Sequence, residues 1–128
     1  MIILDTMTIL KRFLRWLPAI SIMIAIFGFS SIPSDEMPSF GLWDLAVKKG
    51  SHMLGYGVLA LSYWYGLGYK KNSWRFAFLF AVLYAITDEF HQSFIPGRDP
   101  SWVDAFVVDN IGAGLTLLAG SEIRKRMR

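Results

Sequence analysis

The sequence predicts an all-α integral membrane protein, a bundle of four helices with both termini on the cytoplasmic side. Of its 128 residues, 54% are hydrophobic, which is more than an ordinary soluble domain carries. The charged residues stand in short clusters between long uncharged runs. Because backbone amides in lipid must be hydrogen-bonded within their own segment, runs of this length are expected to be helices. Residues 1–128 are expected to form a single domain.

Four segments are expected to span the bilayer. The first, about 13–33, contains nineteen uncharged residues from Trp16 to Ser34, close to the roughly 20 that a span requires. A cleaved signal peptide is the alternative interpretation, since basic residues precede this apolar stretch and small residues end it. The other three spans are expected at about 50–69, 74–95 and 102–121.

The basic residues predict the orientation, because Lys and Arg concentrate on the cytoplasmic side of spans. Ten of the thirteen lie near the N-terminus, between the second and third spans, or at the C-terminus. The other two loops hold only Lys48, Lys49 and Arg98. A net charge of +3 distributed in this way indicates membrane orientation rather than nucleic-acid binding. The absence of cysteine excludes disulfides, thiolate metal ligands and a thiol nucleophile.

In this topology the polar residues of the spans meet at the non-cytoplasmic end, together with Arg98 of the outer loop between the third and fourth spans. They are His52, Asp88, Glu89, His91, Gln92, Arg98, Asp104 and Asp109. A charge at the centre of a span costs roughly 2.5–3.5 kcal/mol, so such groups persist when they pair or face a wet cavity. Glu89 and His91 lie about 160° apart on a helix, and we favour Glu89 with Gln92 in the site. Asp104 and Asp109 lie about 140° apart, and the sequence does not decide which of them enters.

Each of these residues also has a purely structural interpretation. His52 can be a hydrogen-bonded interfacial residue, and the stripe of His52, Tyr56 and Tyr63 can be helix packing. Lys49, one turn before His52, can anchor lipid headgroups. Glu89, Gln92, Arg98 and Asp109 together form either a structural ion-pair network or an anion- and proton-handling site.

Four short motifs follow one another along the chain. They are Ser30-Ser31-Ile32-Pro33, Lys49-Gly50-Ser51-His52 with Tyr56, the run from Asp88 to Arg98, and Asp104 followed by Asp109-Asn110-Ile111-Gly112. From about residue 20 to 120 the chain resembles the VanZ-like family. The resemblance implies a small multi-pass protein of the bacterial inner membrane, in a family whose namesake is associated with resistance to the lipoglycopeptide teicoplanin. The Asp104–Asp109 spacing is one residue longer than the family pattern.

Three functions remain open at this point. The first is an enzyme that acts on a lipid-linked or amphiphilic substrate at the outer leaflet. Its catalytic groups would be Glu89, His52 and Asp109, and its substrate-binding groups Lys49, Tyr56, Gln92, Arg98, His91 and Asp104. The second is a non-catalytic binder of a lipidated antibiotic or envelope precursor, and the third is a proton-coupled carrier that works as an oligomer.

The expected partners are the lipid bilayer and an amphiphilic small molecule, with no nucleic acid. No cofactor is expected. A metal site of His52, His91, Glu89 and Asp109 is disfavoured, because no two histidines stand at i and i+4. The sequence leaves the oligomeric state open.

Overall fold

The computed structural model describes residues 2–128, with side chains described for residues 6–103 and 106–128. Every regular element in this part of the chain is helical, which confirms the expected all-α fold. The α-helices are α1 (Ile2–Leu14), α2 (Leu17–Ser30), α3 (Asp44–Gly66), α4 (Ser73–Gln92) and α5 (Asn110–Arg126). Only two residues separate α1 from α2, and Thr6–Ser30 forms one helical rod, so residues 2–128 form four rods.

Short irregular helices complete the fold. Two 3₁₀ turns, Ser34–Glu36 and Gly41–Trp43, connect α2 to α3, and a π-helical stretch, Asp104–Asp109, runs directly into α5. Helix α3 begins at Asp44, earlier than the expected position of about 50. Its extra turn is supported by the Asp44–Lys48 ion pair, which joins positions i and i+4 at 2.7 Å.

Helix α3 is the centre of the bundle and contacts α2, α4 and α5. Its closest approach is to α5, where small residues face each other. A Cβ built on Gly57 would lie 2.7 Å from Cγ2 of Thr116, and one built on Gly112 would lie 2.8 Å from Cα of Met53. The Thr116 hydroxyl donates to the Gly57 carbonyl oxygen at 3.2 Å. This close contact brings the starts of α3 and α5 together, where the polar residues lie.

Two rods among the described residues are long and apolar enough to cross a membrane, Thr6–Ser30 and Phe106–Arg126. Helices α3 and α4 have 23 and 20 residues, and their polar and charged residues reduce their hydropathy. The helices also expose large apolar side chains around the outside of the bundle. Among them are Ile24, Phe29, Leu54, Leu79, Leu83, Leu115 and Leu118.

Candidate functional site

A polar cavity of about 450 Å³ lies between the start of α3, the end of α4 and the π-helical stretch. Its polar lining consists of Ser34, Lys48, Lys49, His52, Glu89, Gln92, Arg98, Asp99, Ser101 and Asp109. Three helices therefore contribute titratable side chains to one wall. The carboxylates of Glu89 and Asp109 are buried, whereas Lys48, Lys49 and Arg98 are half-buried. The buried carboxylates thus form an acidic inner wall, and Lys48, Lys49 and Arg98 form a more exposed basic rim.

His52 and Asp109 form a contact between α3 and the π-helical stretch. Nδ1 of His52 lies 3.5 Å from Oδ1 of Asp109, an ion-pair distance when the imidazole is protonated. The Asp109 side chain is 2% exposed, whereas that of His52 is 36% exposed. A buried carboxylate at one ring nitrogen orients the ring and leaves Nε2 for a reacting group. The separation is longer than a good hydrogen bond, as often occurs in catalytic sites before substrate binds.

Glu89 is held by the loop that follows α4. The backbone N–H of Ser101 donates to its Oε2 at 2.9 Å, and the side chain is only 5% exposed. The loop therefore fixes one carboxylate oxygen of Glu89 at the cavity wall. A carboxylate oxygen at this wall can accept a hydrogen bond from a group in the cavity.

A third buried carboxylate, Asp88, links the cavity wall to the core. Its Oδ2 accepts hydrogen bonds from the Tyr56 hydroxyl at 3.1 Å and from Nε2 of Gln92 at 3.0 Å. The same Gln92 amide lies 3.4 Å from the Ser30 hydroxyl oxygen and so reaches α2. Asp88 Oδ1 is buried and has no hydrogen-bond partner among the described residues. Tyr56 and Gln92 are therefore occupied with positioning Asp88.

Arg98 fastens the loop after α4 to the end of α2. Its Nε donates to the carbonyl oxygen of Ile32 at 3.1 Å, and its Nη2 donates to that of Phe29 at 3.0 Å. The chain turns sharply just before it, at Gly97 with φ +71°, which only glycine adopts without strain. No carboxylate among the described side chains lies within ion-pair distance of the guanidinium. Arg98 still lines the cavity, with its Nη1 free of hydrogen bonds to the described residues.

His91 faces α2 rather than either cavity. Its Nε2 lies 2.9 Å from the Ser31 hydroxyl, and its ring stacks on Phe27 with centroids 4.2 Å apart. Two consecutive residues at the end of α4, His91 and Gln92, therefore contact the Ser30-Ser31 pair. The first and third sequence motifs are therefore in contact in the fold.

Lys48 stands at the rim with Asp44. The hydrogen bond from Lys48 lowers the pKa of the Asp44 carboxyl, so Asp44 stays ionised at neutral pH. The 2.7 Å pair is solvent-accessible, and pairs of this kind hold their partners weakly. A bound anion can therefore compete with Asp44 for the Lys48 ammonium group.

A second cavity, an apolar groove of about 490 Å³, runs between α2 and α3. Its apolar lining includes Ile22, Ala25, Ile26, Phe29, Phe40, Val47, Gly55 and Val58. Four side chains line both the groove and the polar cavity: Met37, Lys48, His52 and Arg98. The groove and the polar cavity therefore adjoin at His52.

Most of the site residues proposed from the sequence lie around these two spaces. Lys49, His52, Glu89, Gln92, Arg98 and Asp109 line the polar cavity, and Tyr56 lines the groove. His91 lines neither, and the Asp104 side chain lies outside the described residues. The sequence reasoning left out Lys48 and Asp88 as site residues. Asp88 had a signal, since it stands one turn before Gln92 on the same helix face.

No group of three or more His, Asp or Glu side chains in the described part of the chain is arranged to hold a metal ion. His52 and the two wall carboxylates can supply charge, hydrogen bonding and proton transfer.

Comparison with known proteins identifies the family. The model of the VanZ/LLP1 family matches residues 4–120, nearly the whole chain. No curated protein and no solved structure shows a significant match. The matched range includes the ends of α2 and α4, the start of α3 and the π-helical stretch that surround both cavities. The chain is a member of the VanZ/LLP1 family.

Proposed function

We propose that this protein is a multi-pass protein of the bacterial inner membrane that binds an amphiphile with an anionic head and acts on it by proton transfer. Four spans with both termini inside place the polar cavity at the outer leaflet. The apolar side chains exposed around the bundle support insertion, because soluble monomers rarely expose large contiguous apolar patches. The distribution of basic residues supports the orientation.

One observation carries the proposal: the apolar groove and the polar cavity adjoin at His52. An amphiphile has the same two parts, a hydrocarbon chain and a polar head, joined at one linkage. Lys48, Lys49 and Arg98 supply positive charge for an anionic group of the head. Glu89 supplies an acceptor for its hydroxyl or amine groups.

The chemistry follows from the His52–Asp109 pair. Asp109 orients the imidazole through Nδ1, so that Nε2 accepts a proton from a water molecule or hydroxyl group as its oxygen attacks the head linkage. The same proton then passes to the departing oxygen, and the imidazole returns to its neutral form. Glu89 and Asp109 are negative groups near the ring and stabilise its protonated form.

Direct binding tests this proposal. The full chain is placed in nanodiscs and titrated with fluorescently labelled oleoyl lysophosphatidic acid, and separately with a labelled monoacylglycerol that has the same chain and a neutral head. The phosphate probe is expected to bind at least tenfold more tightly. Equal affinity for the two probes would contradict an anionic head site. Mass spectrometry of the incubated lipids then reports whether the probe is converted.

A second candidate function is non-catalytic sequestration of a lipidated antibiotic, as the resemblance to the family of the teicoplanin-resistance protein suggests. The apolar groove beside the polar cavity favours it, because binding an acyl chain and a polar head requires no proton transfer. Expression in a susceptible Gram-positive strain is expected to raise the inhibitory concentration of teicoplanin but not that of a glycopeptide without an acyl chain. Equal susceptibility with and without expression would remove this function.

A further inference from the structure

We propose that the apolar groove between α2 and α3 is an acyl-chain subsite, which holds the single hydrocarbon chain of the same amphiphile whose anionic head lies in the polar cavity. The inference rests on the proposed function and adds to it the substrate class: one chain, one anionic head, and a linkage beside His52.

The lining of the groove fits a hydrocarbon chain. Its walls are aliphatic and aromatic side chains from α2 and α3, with Met37 and Phe40 from the connecting segment. The polar side chains that line the groove include Ser30 and Tyr56. They also include Lys48, His52 and Arg98, which line the polar cavity as well. A chain in the groove is therefore surrounded by apolar atoms, while the group at its end meets two cations and an imidazole.

Charge at the junction decides between possible occupants. A bulk phospholipid would bring two chains, whereas the groove is one space of about 490 Å³ between two helices. A hydrocarbon chain gains little by moving from lipid into a groove of equal apolarity, so the head must supply the affinity. Lys48 and Arg98 at the junction supply it for an anionic head. These observations favour a single-chain anionic amphiphile.

The space beside Gly55 is a part of the groove that a larger side chain can fill. Gly55 lines the groove on α3, and a Cβ built on it meets no atom within 4 Å. A larger side chain therefore fits there without moving the bundle and fills space that the chain would occupy. Gly28 on α2 is equally open and lines neither cavity, so it is a matched control.

The experiment compares Gly55→Leu and Gly28→Leu with the unaltered chain in nanodiscs. Binding of labelled oleoyl lysophosphatidic acid is measured directly, and glycerol 3-phosphate, the head without the chain, is used as competitor. Gly55→Leu is expected to weaken binding of the long-chain probe at least tenfold and to leave the competitor's inhibition constant unchanged. Gly28→Leu is expected to bind the probe within twofold of the unaltered chain. Ala25→Leu, from the opposite wall and exposed, repeats the test should Gly55→Leu fail to fold.

The outcomes separate this inference from the function on which it rests. Probe binding that glycerol 3-phosphate displaces, with no effect of either groove substitution, would overturn the acyl-chain subsite alone. Failure of glycerol 3-phosphate to displace the probe from the unaltered chain would overturn the head site and the inference together. Retention of a zwitterionic phospholipid in native mass spectra, lost in Gly55→Leu and not competed by the anionic probe, would assign the groove to bilayer lipid and also overturn it.

Discussion

Arg98 donates from Nη2 to the carbonyl oxygen of Phe29 at 3.0 Å, across 69 positions of the chain. The carbonyl of Phe29 lies in the last turn of α2, where carbonyl oxygens have no partner within the helix, and a guanidinium presents several donors to such groups. Its second bond, to Ile32, ties the loop after α4 to the chain that leaves α2. Arg98 thus builds the corner at which the groove and the polar cavity adjoin.

Arg98→Lys is therefore expected to lower the stability of the protein. The ammonium group keeps the charge but cannot reach both carbonyl oxygens with the geometry of the planar fork. We expect a loss of about 1.5–3 kcal/mol, the range for hydrogen bonds that involve a charged group. Thermal unfolding in detergent measures it. Arg128→Lys, at the exposed C-terminus, is the control, and equal unfolding temperatures for the two variants would contradict the clamp.

Gly112→Ala is expected to separate α3 from α5. The new Cβ would lie 2.8 Å from Cα of Met53, and backbone atoms cannot move aside as a flexible side chain does. Overpacking of this kind costs about 1–3 kcal/mol. Gly114→Ala on the same helix meets nothing closer than Phe78 at 3.8 Å, so it is expected to be neutral or to stabilise the helix. Chemical denaturation of the two variants should rank them in this order; the reverse order would refute the close contact.

Much of this arrangement is predictable from the sequence, because uncharged runs require helices in lipid and basic clusters indicate which ends lie together. The residues Lys49, His52, Glu89, Gln92, Arg98 and Asp109 do line one cavity, while their functional roles stay predictions. The sequence did not predict that Arg98 would cap α2, since every residue has a carbonyl oxygen and the residue types do not indicate which one accepts from a guanidinium. It also did not predict that His91 would face Ser31.

The π-helical stretch is the other feature that the sequence did not predict. In an α-helix, which the sequence predicts here, positions 104 and 109 lie about 140° apart. In a π-helix the backbone hydrogen bond joins residues i and i+5. The backbone positions 104 and 109 are therefore about one helical turn apart. Such stretches are frequent at functional sites. No sequence pattern distinguishes this turn from an α-helical one.

Glu89→Gln separates catalysis from sequestration. The amide keeps the shape of the side chain and its acceptor oxygen for the Ser101 N–H, but it removes the negative charge. An enzyme that needs this charge in the transition state is expected to lose at least a hundredfold in turnover, with probe affinity changed less than fivefold. A sequestering protein is expected to protect cells in proportion to its expression, with or without Glu89. Mass spectrometry of the probe and susceptibility at graded expression give the two measurements.

Asp44→Asn tests the basic rim. The substitution frees the Lys48 ammonium group from its 2.7 Å partner while keeping the helix start. We expect the affinity for the lysophosphatidic acid probe to rise modestly and that for the neutral monoacylglycerol to stay constant, because only the phosphate benefits. The pKa of Asp44 is lowered by Lys48, so the difference between variant and unaltered chain is expected at neutral pH and to vanish as acid protonates Asp44. A variant that binds the phosphate probe more weakly would contradict competition at the rim.

Photolabelling tests the central claim most directly, that side chains of α3, the loop after α4 and the π-helical stretch form one site for the head of an amphiphile. A lysophosphatidic acid with a diazirine beside its phosphate is irradiated on the full chain in nanodiscs, and labelled peptides are mapped by mass spectrometry. We predict label on residues 45–52 and 97–101, suppressed by excess glycerol 3-phosphate. Label confined to outward-facing residues such as Leu83 and Leu115, unaffected by the competitor, would contradict the site.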